Sequence, residues 1–257
     1  MRQIQFPALL FAAFWMAACS GSPSNQPIAE TKKEPAREVF HVDPATAGAV
    51  SGTVKFTGKV PPPKPIDMSN DPACVALHQG KAVDESLVAS QGELANVFVY
   101  IKSGLEGKSF EVPTTPVIFD QRGCYFEPRI IGVQVGQSMR ISNSDKVTHN
   151  VHPQAHTNRE WAHSQGPGDP PLDRKFIKPE IMIRVKCDIH SWMRAFIGVV
   201  EHPYFAVTKA DGTFELRNVP PGEYVVEAWH ETLGTQDQKI TVTPSGKVET
   251  SFSFKGE

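Results

Sequence analysis

The chain has 257 residues and a formal net charge of -2, room for one or two domains. Its 26 Lys and Arg against 28 Asp and Glu give no bulk attraction to nucleic acid, and a hydrophobic share of 40% is too high for a fully disordered chain. The 22 Pro and 19 Gly disfavour helix and favour short strands joined by turns.

Residues 1–18 read as a secretory signal: Arg2, an apolar run Phe6–Ala18 too short to span a bilayer, then Ser20-Gly21-Ser22-Pro23. Met16-Ala17-Ala18-Cys19 resembles a bacterial lipobox. That implies a lipid on Cys19 and an extracytoplasmic protein anchored to the cell envelope. Ser20 after the Cys points to the periplasmic side of the outer membrane. The alternative is an ordinary signal peptide with an incidental Cys. Residues 19–47 are rich in Ser, Pro, Lys, Glu and Ala, show no hydrophobic period, and read as a flexible tether.

Val50–Phe56 alternates as a strand, and Pro61-Pro62-Pro63 stops it. Residues 61–92 are irregular, with a short helix expected at 84–90. Ala95–Lys102 is a clear strand, followed by Pro116–Phe119, Ile130–Val135, Ser138–Asn143 and Thr148–His152. A polar loop occupies 153–175. Glu180–Lys186 and Phe196–Val200 are strands, Asp211-Gly212 is a hairpin signal, and Pro220-Pro221-Gly222 is a turn. Phe214–Leu216, Tyr224–Trp229, Lys239–Thr243 and Val248–Phe254 complete the set. No segment carries a helical pattern over three turns, so the fold class is all-β.

The loop Lys186–Met193 spaces Cys187, His190 and Met193 three residues apart between two apolar strands. Thiolate, imidazole and thioether suit copper better than calcium or magnesium, and with a second His they form a type 1 (blue) copper set. A zinc site wants four strong ligands and usually has no Met. His149 and His152 are both near enough in sequence to be that second His. In a strand, 149 and 151 share a face and 152 points the other way; Val151 looks like core, which favours His149. Asn150 then braces the ligand loops by hydrogen bonding. The plainer alternative makes Cys187 half of a disulfide, His190 a surface group and Met193 core filler. His152, His156, His163 and His202 are left over, either as part of a polar, His-bearing surface loop or as a second metal site. Glu227-Ala228-Trp229-His230-Glu231 reads either as a polar cluster or as the alternation of a half-buried edge.

Phe126–Val133 followed by Val135-Gly136-Gln137, then Asn143-Ser144-Asp145 leading to His149-Asn150-Val151, then Cys-x-x-His-x-x-Met, make residues 115–202 similar to the cupredoxins, with the short ligand loop of the amicyanin type. The resemblance implies a Greek-key β-sandwich holding one type 1 copper at one end through His149, Cys187, His190 and Met193. It implies a one-electron carrier between extracytoplasmic redox partners, not an enzyme. It also implies that His190 gives the electron a surface exit and that a partner docks transiently on an apolar rim of Ile189, Trp192, Ala195 and Phe196. Phe205–Leu216 followed by Val219–Tyr224 resembles the carboxypeptidase regulatory-like (transthyretin-like) domain, a non-catalytic module, with Val50–Phe56 and Asn96–Lys102 as its first two strands. Residues 48–103 and 203–257 would then be two parts of one sandwich, discontinuous around the cupredoxin. The simpler alternative is an N-terminal extension and a separate C-terminal sandwich. With Cys19 lipidated and Cys187 on copper, Cys74 and Cys124 remain, and a disulfide between them is expected outside the cytoplasm. Two rival functions stand beside electron transfer: copper storage or delivery, and a metal-free envelope adhesion or carbohydrate-binding-like protein.

Overall fold

The computed structural model describes residues 38–256, Gly80 excepted, and strands dominate. The first group is β1 (Gly48–Thr57), one helix α1 (Pro72–His78), β2 (Ala89–Ser90), β3 (Glu93–Leu94) and β4 (Phe98–Ser103). The middle group is β5 (Val117–Arg122), β6 (Tyr125–Glu127), β7 (Ile130–Gln134), β8 (Met139–Asn143), β9 (His149–Gln154), β10 (His163–Gln165), β11 (Leu172–Arg174), β12 (Glu180–Lys186) and β13 (Arg194–Val200). The last is β14 (Phe205–Val207), β15 (Thr213–Val219), β16 (Gly222–His230), β17 (Gly234–Val242) and β18 (Lys247–Lys255).

The first and last groups share two sheets. β1 pairs antiparallel with β15, Val50 opposite Leu216, and parallel with β18, Val54 opposite Phe252. In the second sheet the order is β14-β4-β16-β17. The middle strands pair among themselves as β10-β9-β12-β13-β7 and β11-β8-β5-β6. Among the described residues, the chain therefore builds half of one sandwich, completes another, and returns to finish the first.

Alternation decides which side chains meet. Val50, Val54, Val97, Val99, Ile101, Leu216 and Phe252 fill the outer sandwich. Phe119, Val133, Ile141, Val151, Val185 and Ile197 fill the middle one, together with Cys187 and Met193. β4 is buried on both faces: its even positions, Phe98 and Tyr100, turn away from the outer core into a seam with Ile130 and Val200. Gly132 and Gly198 lie opposite each other across β7 and β13. A Cβ on Gly198 would stand 2.5 Å from the Phe98 Cζ, so bare glycines are what admit the ring.

Four expectations change. The helix lies at Pro72–His78, not 84–90: Asp71 caps it by accepting from the Ala73 and Cys74 N–H groups, and Pro72 opens its first turn. Residues 153–175 are not simply a loop, because β10 and β11 inside them extend the edges of the two middle sheets. The Asp211-Gly212 turn carries the chain from one outer sheet to the other rather than joining paired strands. The end of the expected tether is packed: Phe40 N–H donates to the Ser109 carbonyl, and Val42 rests on the outer core. The signal segment, Cys19 and the rest of the tether lie outside the described residues.

Candidate metal centre

β12 lies between β9 and β13 in one sheet, so the loop joining β12 to β13 sits beside the start of β9. That topology brings Cys187 and His190 to His149. The loop is tied by Met193 N–H donating to the His190 carbonyl (3.0 Å) and Cys187 N–H to the Met193 carbonyl (3.2 Å). His149, Cys187, His190 and Met193 are all buried.

The two His Nδ1 atoms are 3.0 Å apart, and the Cys187 Sγ is 3.9 Å from the His190 Nδ1. The His149 Nε2 meets Asp145 Oδ2 at 2.8 Å, and the His190 Nε2 meets Asp71 Oδ2 at 3.1 Å. Ionised carboxylates only accept. Each ring therefore carries its proton on Nε2 and aims a bare Nδ1 lone pair at the other ring. Two such lone pairs at 3.0 Å repel unless a cation lies between them. Cys187 Sγ accepts the N–H groups of Asn150 (3.3 Å) and His190 (3.4 Å), as a thiolate does. Metal bonds of roughly 2.0–2.3 Å let one ion reach nitrogen and sulfur donors so placed. The residues fit a metal that favours imidazole and thiolate.

In the metal-free chain a proton takes the place of that cation. Burial opposes a charged His149, but Asp145 and Cys187 overcome it and push the His149 pKa up to about 9. Burial would likewise raise the Cys187 thiol; His149 and the N–H groups of His190, Asn150 and Ile189 bring it below its ordinary value. Asp145 is itself held low against its burial by His149 and by two backbone donors, Cys124 and Gly123, at 2.7 Å each. Those donors belong to the two-residue turn between β5 and β6, where Gly123 and Cys124 both have positive φ (64° and 56°), the geometry of a tight hairpin turn.

Met193 packs in the same core cluster as Cys187. Asn150 links the two ligand segments: besides its N–H on the thiolate, its Oδ1 accepts from the Asp188 N–H, and its Nδ2 reaches Ser164 Oγ. His152 takes the other face of β9 and is occupied by Asp188 and Glu160. His156 and His163 are exposed. His202 is buried with its Nε2 on the Ile101 carbonyl, and burial lowers its pKa to about 4. Among the described residues, the grouped donors all include His149 or His190, so the four spare His form no second cluster. Glu227 and Glu231 serve structure: Glu227 accepts from Tyr100 and Lys102, and Glu231 pairs with Arg129.

A disulfide joins Cys74 to Cys124, tying α1 to the β5–β6 turn. It presses α1 against the metal centre, and here the structure overturns the expected surface exit: His190 is only 3% exposed, beneath Asp71. The expected docking rim also breaks up. Ile189 is exposed at 53% and Trp192 is half-buried. Ala195 is buried in the core, and Phe196 packs on Trp229 in the seam between the sandwiches. Asp71 and Asp145 are the two residues that the sequence did not assign. Asp145 stands four residues before His149, a readable spacing; Asp71 stands 119 residues from His190 and leaves no local sign.

The family described as ER membrane protein complex subunit 7, beta-sandwich domain, matches residues 188–253, from the ligand loop into β18. Solved structures similar to parts of the chain include a copper-containing nitrite reductase from Thermus scotoductus SA-01, at 20% identity and a TM-score of 0.32 over 40% of this chain. This chain spans only 25% of that one. A purple cupredoxin from Nitrosopumilus maritimus is 16% identical, with a TM-score of 0.28 over 32% of this chain and 98% of its own. An oxidised amicyanin mutant is 19% identical, with a TM-score of 0.30 over 39% of this chain and 97% of its own. Each of these likenesses covers no more than 40% of this chain. No curated protein matches.

Proposed function

We propose that this chain holds one copper ion in a type 1 site and carries single electrons between extracytoplasmic partners, without being an enzyme. The observation that supports it best is the pair of facing Nδ1 atoms 3.0 Å apart beside the buried, free Cys187. Bound copper would supply a one-electron Cu(II)/Cu(I) couple. Cys187 would give the thiolate, His149 and His190 the imidazoles, and Met193 the weak axial thioether. Burial of all four excludes water, and the backbone ties across residues 187–193 hold the donors in one arrangement. Asp145 and Asp71 keep the protons on the far nitrogens. The lipid on Cys19 would hold the protein at the envelope, and a redox partner would meet the surface at Ile189 and Trp192.

The test is an optical spectrum with Cu(II). The wild type should show an intense thiolate-to-copper band, and Cys187→Ser should lack it. A wild type without the band, or a variant that keeps it, overturns the proposal. One observation favours a second reading, copper storage or delivery: the His190 edge is sealed under Asp71. Rapid electron exchange with a small redox reagent, without copper loss, would decide for the carrier.

A further inference from the structure

We infer that Asp71, which belongs to neither sandwich, is a positioning residue for His190, and that the segment around α1 is a built cap over the metal centre. The inference rests on the copper reading for its purpose but not for its geometry.

The two oxygens of Asp71 do separate jobs. Oδ1 accepts the Ala73 and Cys74 N–H groups and starts α1; Oδ2 takes the His190 Nε2. The first job fixes the carboxylate, and the second fixes the ring. A carboxylate on the far nitrogen of a metal-binding His sets the tautomer and orients the ring, and Asp145 does the same for His149. Asp71 differs in coming from outside the fold that carries the ligands.

The cap is stitched down at several points. Met68, Ala82 and the disulfide form a small core of their own, with Trp192 of the ligand loop packed against it. Trp192 Nε1–H donates to the Cys124 carbonyl at 3.1 Å, and its ring lies 5.0 Å from that of His190. The His78 ring bonds the Gly123 carbonyl, and the Tyr125 hydroxyl donates to the Val83 carbonyl. His190 thus has Asp71 on its outer nitrogen and Trp192 across its face.

Asp71→Ser separates capping from positioning. Ser is a good N-cap, but a single short Oγ cannot also reach His190. Copper affinity, read by competition with bathocuproine disulfonate in the full chain, should fall about 10–100-fold, with the melting temperature unchanged. Wild-type affinity in this variant overturns the inference. A second arm uses metal-free protein and diethyl pyrocarbonate, with modified His located by peptide mass mapping. His190 should resist in the wild type and react faster in Asp71→Ser, because the ring loses its buried partner. Equal rates overturn the inference. If the wild type shows no thiolate-to-copper band, the copper reading fails, and this second arm alone decides whether Asp71 positions His190.

Discussion

Asp145 should decide where one proton sits in the metal-free centre, and its effect can be read as stability. His149 is raised from 6.5 to about 9, so alone it binds an extra proton in the folded state between those values. Its contribution is complete below pH 6.5 and lost as pH rises through about 9. At 1.36 kcal/mol per unit, that loss is about 3 kcal/mol. Cys187 works in the opposite sense. Its lowered pKa makes the folded state bind one proton fewer than the unfolded chain, which adds stability as pH rises toward the ordinary thiol value. A charged His149 beside a thiolate and a neutral His beside a thiol carry the same number of protons. With Cys187 ionised in the fold, the wild type should therefore show little pH dependence from this pair between pH 6.5 and about 9. Cys187→Ser removes the compensating group and with it part of what raises His149, so it should lose stability over the same span, by less than about 3 kcal/mol. Urea unfolding of metal-free protein at pH 6.5 and 9, disulfide intact, measures this. The difference between the two proteins cancels every other titrating group. Ultraviolet thiolate absorbance gives the companion reading: it should appear in the wild type below the ordinary thiol range, and only at higher pH in Asp145→Asn as the proton moves to sulfur. Equal pH dependence in the wild type and Cys187→Ser would refute the shared-proton argument.

Met193→Leu should keep the thiolate-to-copper band and shift the reduction potential upward by voltammetry, since the axial donor is lost while Cys187 and both His remain; an unchanged potential would show that the thioether is not a ligand. Gly198→Ala should lower the unfolding free energy by about 1–3 kcal/mol, seen as a lower urea midpoint, because the new Cβ would meet the Phe98 ring at 2.5 Å and the Met182 methyl at 2.6 Å; a wild-type midpoint would mean that the seam relaxes freely. Cys19→Ser should leave copper binding intact but move the protein from the detergent to the aqueous phase on partitioning. A wild type wholly in the aqueous phase would exclude the lipid anchor.

The outer strands were legible where alternation or burial was strong: β4 reads as an unbroken apolar run because both its faces are covered, one by the outer core and one by the seam. The clustering of His149, Cys187 and His190 was legible because Cys187 and His190 sit at fixed spacing on one loop and His149 shares a strand face with Val151. The cap was not. α1 is one seven-residue helix with a single buried side chain, Cys74, so no period betrays it. β10 and β11 have three residues each and exist because a sheet edge is there to pair with. The exposure of His190 and the fate of Phe196 were illegible for the same reason. The middle sandwich read alone has a free end and a free face, and residues far away in sequence cover both.

The return of the chain to its first sandwich also sets an order of events during synthesis. β1 emerges early, yet both its long partners, β15 and β18, lie after the whole middle sandwich. Until they arrive it is an unpaired edge, the kind of segment that recruits wrong partners. Closing so long a loop in an unfolded chain costs entropy, but a finished middle sandwich removes most of that cost, because it delivers the chain back beside its own exit, with Phe205 opposite Tyr100. The middle sandwich is thereby the scaffold on which the rest matures. Whatever hastens its folding shortens the interval in which β1 stands exposed.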